Sequence, residues 1–204
     1  MLIITLKIIA IIIVVVILIS LLSLLEHHRK RARMEAIWLS RAEKGDAYAQ
    51  EELGDFYKFS KLNMYLGIYN KEAFKWYTKA IEQYTKAAEQ GDKNAQHSLG
   101  RMYDRGKGCK KNPVEAIKWY KKAAEQGHAM SMFCLGIIYE YGSIEANFKE
   151  DYAEAIKWYT KAAEAGDYCV YEYSLGKMYE KGLGTPQNLE EAKKWYEKAA
   201  ARRL

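Results

Sequence analysis

A chain of 204 residues with 50% hydrophobic and 28% charged side chains is long and apolar enough to bury a sizeable core. Its 17 tyrosines and five tryptophans exclude a disordered chain, and three cysteines are too few for a disulfide-stapled module. The net charge of +6 is concentrated at the N-terminus, where residues 1–33 hold five basic residues and one acidic residue. The rest of the chain is nearly balanced in charge, so the sequence predicts no nucleic-acid partner.

The first predicted element is a hydrophobic N-terminal helix. Residues 2–25 consist almost entirely of Ile, Leu and Val, with Lys7 as the only charge, and their length suits a hydrocarbon core of about 30 Å. A cleaved signal peptide is the alternative, but the basic cluster follows the apolar run instead of preceding it. The sequence therefore predicts a single-pass membrane protein with a transmembrane anchor at 1–26 and a basic linker at 27–34. The positive-inside bias of residues 29–33 predicts a cytoplasmic domain, with a periplasmic domain as the alternative.

Beyond the linker, residues 35–204 contain a repeat that is marked by its tryptophans. Five tryptophans lie 37 to 43 residues apart, and tyrosine directly follows four of them. A second motif precedes each of these four tryptophans. It consists of Leu-Gly followed by a tyrosine three residues after the glycine. The predicted boundaries are 35–46 for a lone second helix, then 47–92, 93–127, 128–167 and 168–204 for four repeats. The residues predicted to form the repeat core are Trp76, Leu99, Gly100, Tyr103, Trp119, Tyr120, Leu135, Gly136, Tyr139, Trp158, Tyr159, Leu175, Gly176, Tyr179, Trp195 and Tyr196.

Each repeat predicts a pair of helices. The four-residue spacing of Leu99 and Tyr103 makes one packing stripe on the first helix, and the glycine after the leucine allows a neighbouring backbone to approach. A Gly-x-Gly pair ends that helix, and Pro113 stands near the start of the second. Because neither helix can bury its stripe alone, the pairs must stack. The predicted fold class is all-α: a right-handed α-solenoid of about four helix-turn-helix repeats preceded by the transmembrane helix.

These two recurring motifs resemble the Sel-one-like repeat, a relative of the tetratricopeptide repeat, over residues 35–204. The resemblance implies scaffolding roles in protein assemblies, including immunity proteins that block a toxic effector. It also implies an alternative, because a penicillin-binding hydrolase activity is attributed to certain cysteine-rich relatives. Those relatives carry regularly paired cysteines, a pattern that Cys109, Cys134 and Cys169 do not form.

The sequence predicts no enzyme. Residues 174–177 spell S-x-x-K, but the Leu-Gly inside them is the packing pair of the repeat, and neither companion motif of that enzyme class occurs. The cysteines do not have metal-ligand spacing with His97 or His128. We therefore predict no catalytic residues, no metal, no cofactor and no small-molecule substrate.

The variable positions of the first helices predict a binding surface for a protein or peptide. Positions two before and two after the leucine of Leu-Gly, and a third position one turn N-terminal to these, turn away from the packing stripe, and in related solenoids they line a concave groove. Such a groove would begin at the acidic Glu51 and Asp55 and reach an apolar patch that is unusual for a soluble surface. The predicted partner-binding residues are His97, Arg101, Met130, Phe133, Ile137, Tyr173 and Lys177. The alternative is that the longer loop of the third repeat covers the patch. The predicted function is a membrane-anchored scaffold or adaptor, with an immunity protein as its specific form.

Overall fold

The computed structural model describes residues 2–59, 71–142, 149–166 and 168–202, with side chains from Val15 onward apart from His27. Within these residues every regular element is an α-helix, so the predicted all-α class is confirmed. The helices are α1 (Leu2–Glu43), α2 (Ala47–Lys58), α3 (Lys71–Glu89), α4 (Lys93–Arg105), α5 (Pro113–Glu125), α6 (Ala129–Tyr141), α7 (Tyr152–Ala165), α8 (Cys169–Lys181) and α9 (Leu189–Ala201). The chain divides into two compact units, residues 1–73 and 74–204.

The first unit contains a helical pair in which the end of α1 packs against α2. The predicted lone helix at 35–46 is the C-terminal part of α1, which continues without a break from Leu2. The Gln50 amide donates to the Ala42 carbonyl at 2.9 Å, and the Tyr57 hydroxyl donates to the Glu35 carboxylate at 2.7 Å. These two bonds tie the helices together at both ends of their contact.

The prediction that residues 2–25 cross a membrane is wrong. In the part of the chain that the structure describes, no helix combines the length and the apolarity that a membrane span requires. Three predictions depended on this span and lose their basis with it. They are the single-pass membrane protein, the anchor role of residues 1–26 and the cytoplasmic orientation of the repeats.

The second unit is built from helical hairpins that stack in sequence order, so the predicted α-solenoid is confirmed. α4 pairs with α5, α6 with α7 and α8 with α9, while α6 also packs on α5 and α8 on α7. α3 has 19 residues where α5 has 13, and its tract Tyr-Thr-Lys-Ala at residues 77–80 recurs at residues 84–87, so the second helix of the first repeat is lengthened by an insertion. Polar side chains at the N-caps accept backbone N–H groups and fix where most of these helices begin. These caps are Asp92, Asn112, His128, Asp151 and Asn188.

The Leu-Gly pair has a different role from the predicted one. The neighbour that approaches each glycine is the ring of the tyrosine that follows tryptophan in the second helix, and not a backbone. A Cβ at Gly136 would lie 2.5 Å from the Tyr159 ring, and one at Gly176 would lie 2.5 Å from the Tyr196 ring. The glycine is therefore a notch for an aromatic side chain, which locks the two helices of one hairpin together.

Each tryptophan of the second unit stacks with a lysine one turn later on the same helix. The ammonium groups of these lysines lie 4.0 to 4.6 Å from the indole centroids. The lysines cover the outer face of indoles that are otherwise buried or half-buried in the hairpins. The pairs are Trp76–Lys79, Trp119–Lys122, Trp158–Lys161 and Trp195–Lys198.

Candidate protein-binding surface

The predicted binding residues lie on the first helices α4, α6 and α8, but the structure gives them unequal exposure. Tyr173 is 58% exposed and Ile137 is 38% exposed. The other five predicted side chains are half-buried and contact neighbouring elements. They are His97, Arg101, Met130, Phe133 and Lys177.

The prediction that Phe133 and Met130 face solvent is corrected by their contacts with the next repeat. The Phe133 ring lies 5.4 Å from the Tyr159 ring and 5.1 Å from the Tyr171 ring, measured between centroids. The Tyr171 hydroxyl lies 4.0 Å from the Met130 sulfur. Tyr171 is fully buried and comes from α8, so the following repeat covers both residues. The predicted covering loop includes residues 143–148, which lie outside the described residues.

The predicted acidic end of the groove is also corrected. Glu51 is only 1% exposed, and it lies in the first unit among the buried residues of α2. Asp55, one turn later on the same helix, is half-buried. A carboxylate that is almost fully buried cannot offer its charge to a partner at the surface.

His97 is part of a polar cluster between α4 and α6. Its Nδ1 lies 2.9 Å from the Ser131 hydroxyl, which lies 3.0 Å from Nδ1 of His128. The centroids of the two imidazole rings are 4.6 Å apart. Burial lowers the pKa of His97 to about 3, and the nearby positive groups of His128, Arg101 and Arg105 act in the same direction. His97 is therefore a neutral, structural histidine at physiological pH.

This cluster predicts that the repeat domain loses stability as the solution becomes acidic. The pKa of His97 is about 3 in the folded chain and about 6.5 when unfolded, so between these values the unfolded state binds more protons. We expect a loss of about 1 kcal/mol in the free energy of unfolding between about pH 7 and about pH 5.5, and His97→Gln should remove that part of the pH dependence. Urea unfolding at the two pH values measures it. A midpoint near 6.5 for the His97 ring in an NMR titration of the folded chain would contradict it.

Lys177 contacts its own chain through a half-buried ion pair. Its ammonium group lies 2.8 Å from Glu140 and donates to the Tyr141 hydroxyl at 3.1 Å. The Tyr159 hydroxyl donates to the other oxygen of Glu140 at 2.6 Å. Burial opposes the charge on Glu140, but the hydrogen bonds from Lys177 and Tyr159 hold the pKa of Glu140 below its ordinary value. Lys177 therefore joins α8 to α6.

Tyr141 is an exposed aromatic residue that the sequence reasoning missed. It is 63% exposed and lies one turn after Ile137 on α6. The equivalent positions of the neighbouring repeats hold Arg105 and Lys181, so comparison of this column would have identified it. Through Lys177, Tyr141 is connected to the helix that carries Tyr173. We call Ile137, Tyr141, Tyr173 and Lys177 the aromatic face.

Within the described residues, no group of three or more His, Cys, Asp or Glu side chains is placed to hold a metal ion. Cys109, Cys134 and Cys169 are free thiols and half-buried. Burial raises the pKa of the Cys109 and Cys134 thiols, which disfavours the thiolate that a metal ligand or a nucleophile requires.

The family is decided by matches that recur along the chain. The Sel1 repeat family matches residues 47–83, 84–92, 93–128, 129–167 and 170–203. The chain belongs to the Sel1 repeat family. The break at residue 84 falls inside α3, where the lengthened helix carries its insertion. This family is generally one of protein-interaction scaffolds, and the fold is suited to that use.

Solved structures support the same assignment. A protective antigen of uropathogenic Escherichia coli with an SLR fold is 33% identical with a TM-score of 0.60, and the match covers 83% of this chain and 33% of that one. A Sel1 repeat protein from Oxalobacter formigenes is 34% identical with a TM-score of 0.56, covering 78% of this chain and 57% of that one. This chain thus spans about a third and somewhat more than half of the two proteins. No curated protein matches the chain.

Proposed function

We propose that this Sel1 repeat protein is an interaction scaffold that binds a protein partner through its aromatic face. The observation that carries the proposal is the exposure of Ile137, Tyr141 and Tyr173 on two successive first helices. Tyrosine is enriched where partners bind, because it buries a large ring at a low entropic cost and keeps a polar tip. Lys177 is held beside Tyr141 by Glu140, so this side of the face is ordered before a partner arrives.

A single substitution tests the proposal. Ile137→Gln should weaken partner binding about tenfold or more, because it removes the aliphatic side chain of the face. The melting temperature should hardly change, since the side chain is partly exposed and glutamine is a good helix former. Val114→Gln is the matched control, since Val114 is 60% exposed on the second helix α5.

Affinity capture from cells with the parent chain and both variants measures the effect. A protein retained by the parent and by Val114→Gln but lost from Ile137→Gln supports the face, and its affinity follows by titration of the purified partner. Equal capture by all three chains would contradict it. The same captured protein tests the proposal of an immunity protein. This proposal requires that the captured protein is a toxic effector and that the parent chain blocks its activity.

A further inference from the structure

One position at the C-terminal end of the first helices is exposed in three successive repeats. It lies six residues after the leucine of Leu-Gly and holds Arg105 on α4, Tyr141 on α6 and Lys181 on α8. Arg105 and Tyr141 are exposed although a further repeat follows each of them, so the stacking of repeats does not cover this position. The three side chains form a row across the array, with an aromatic ring between two cations.

The acidic residues that precede this row lie toward the second helices. Glu140 and Glu180 accept hydrogen bonds from tyrosine hydroxyls of α7 and α9. Burial raises the pKa of Tyr120 on α5, and the nearby charge of Asp104 acts in the same direction. Each of these carboxylates thus acts on the tyrosine of its own hairpin.

The two cations of the row offer their charge to the surface. Among the described residues, no carboxylate forms an ion pair with Arg105 or Lys181. Burial raises the pKa of the Cys134 thiol on α6, and the charge of Arg105 opposes this rise, so that charge acts across to the next repeat. Lys177 differs from both cations, because its ammonium group is already paired with Glu140.

The spacing of the row follows from helix packing. Side chains of α4 contact α6, and side chains of α6 contact α8. Packed helices have axes about 10 Å apart, so Arg105 and Lys181 lie about 20 Å from each other with Tyr141 between them. An extended chain rises about 3.3 Å per residue, and about six residues therefore bridge the two cations.

We propose that the aromatic face binds an extended, acidic segment of its protein partner, in which an apolar side chain stands between two carboxylates about six residues apart. The apolar side chain contacts Ile137 and Tyr141, and the carboxylates pair with Arg105 and Lys181. This inference rests on the proposed function, because it names the chemistry of the partner at the same face.

Charge complementarity selects this occupant over the other candidates. Both cations of the row would repel a basic segment. A second copy of the same face would bring Arg105 or Lys181 opposite a cation of the other copy, and like charges facing each other at an interface oppose association. An acidic segment pairs both cations and leaves the ring between them for an apolar contact.

The test uses the full chain and a synthetic peptide with blocked ends and the sequence Gly-Glu-Asp-Gly-Ser-Phe-Gly-Ser-Asp-Glu-Gly. We expect a saturable shift of the Ile137 methyl resonances at low salt, with a dissociation constant on the order of 100 µM because a flexible peptide must be ordered on binding. A neutral peptide with Asn and Gln in place of the acids should bind about tenfold more weakly, and this difference should fade near about 0.5 M salt. A peptide with glycine in place of phenylalanine should also bind about tenfold more weakly.

Charge reversal in the protein provides the second arm. Arg105→Glu combined with Lys181→Glu should abolish binding of the acidic peptide and should create binding of a peptide with lysine in place of every acid. Arg105→Gln combined with Lys181→Gln is the milder variant, and it should weaken the acidic peptide about tenfold. Lys122→Glu is the matched control, since Lys122 is exposed on the second helix α5 and its reversal should leave the affinity unchanged within about twofold.

The outcomes separate this inference from the proposed function. If Ile137→Gln loses a captured partner but the acidic peptide causes no saturable shift up to about 1 mM, the acidic segment is overturned and the aromatic face stands. Equal affinity of the acidic and neutral peptides, or binding of the acidic peptide that Ile137→Gln does not weaken, overturns the inference as well. So does a dimer of the chain that the double charge reversal dissociates, because a second copy would then be the occupant. Equal capture by the parent chain and Ile137→Gln contradicts the proposed function, and the inference with it.

Discussion

Gly184→Ala should lower the free energy of unfolding of the repeat domain by about 3 to 5 kcal/mol, one of the two largest losses that we expect from a single substitution. Gly184 has a φ of +71°, where a side chain is strained. A Cβ there would also lie 2.4 Å from the backbone carbon of Tyr152 at the start of α7. Backbone cannot move aside as a flexible side chain can, so the turn of the last repeat would have to separate from the preceding second helix.

Gly127→Ala is the matched control for this clash. Gly127 has a φ of +77°, and nothing lies within 4 Å of the Cβ that alanine would add. Gly127→Ala should therefore lower the free energy of unfolding by only about 1 kcal/mol, which is the cost of an alanine at a positive φ. Urea unfolding followed by circular dichroism measures both variants. Similar losses for the two would show that Gly184 serves only the turn and makes no contact between repeats.

Tyr159→Ala should lower the free energy of unfolding by about 3 to 5 kcal/mol, because it leaves a cavity in the repeat core. The ring is almost fully buried in the notch at Gly136, and its hydroxyl donates to the buried Glu140. Tyr159→Phe keeps the ring and removes only the hydrogen bond to the carboxylate, so its loss should be smaller, about 1 to 3 kcal/mol.

The equivalent residue of the last repeat controls for repeat position. Tyr196 has the same glycine notch and the same bond to a glutamate, but it is only half-buried because no described helix covers it. Tyr196→Ala should cost clearly less than Tyr159→Ala under identical urea unfolding. Equal losses would mean that the next repeat adds nothing to the burial of Tyr159.

The helices and their turns could be predicted from the sequence because their causes are local. The Gly-x-Gly pairs have positive φ angles at Gly106, Gly108, Gly182 and Gly184, and Pro113 is the first residue of α5. A proline at the first helical position and a glycine at the helix end act through their own backbone. Contacts with distant parts of the chain are not needed to predict where these helices begin and end.

The candidate site could be predicted only in part, because exposure depends on what the next repeat places on each position. Phe133 and Tyr173 share one column of the repeat, yet Tyr171 covers the first while no described residue of a following repeat covers the second. The charge of Lys177 is likewise taken up by Glu140, 37 residues earlier. Helical periodicity predicts which residues share one face of a helix, but it does not predict which other helices pack on that face.

Site-specific photocrosslinking tests the central claim, binding through the aromatic face, most directly. A photoreactive phenylalanine analogue is placed at Ile137 or, as the control, at Val114, in the full chain in its native cells. The account predicts that a single partner protein is crosslinked from position 137 and not from position 114. Equal crosslinking from the two positions, or a partner crosslinked from position 114 alone, would contradict it.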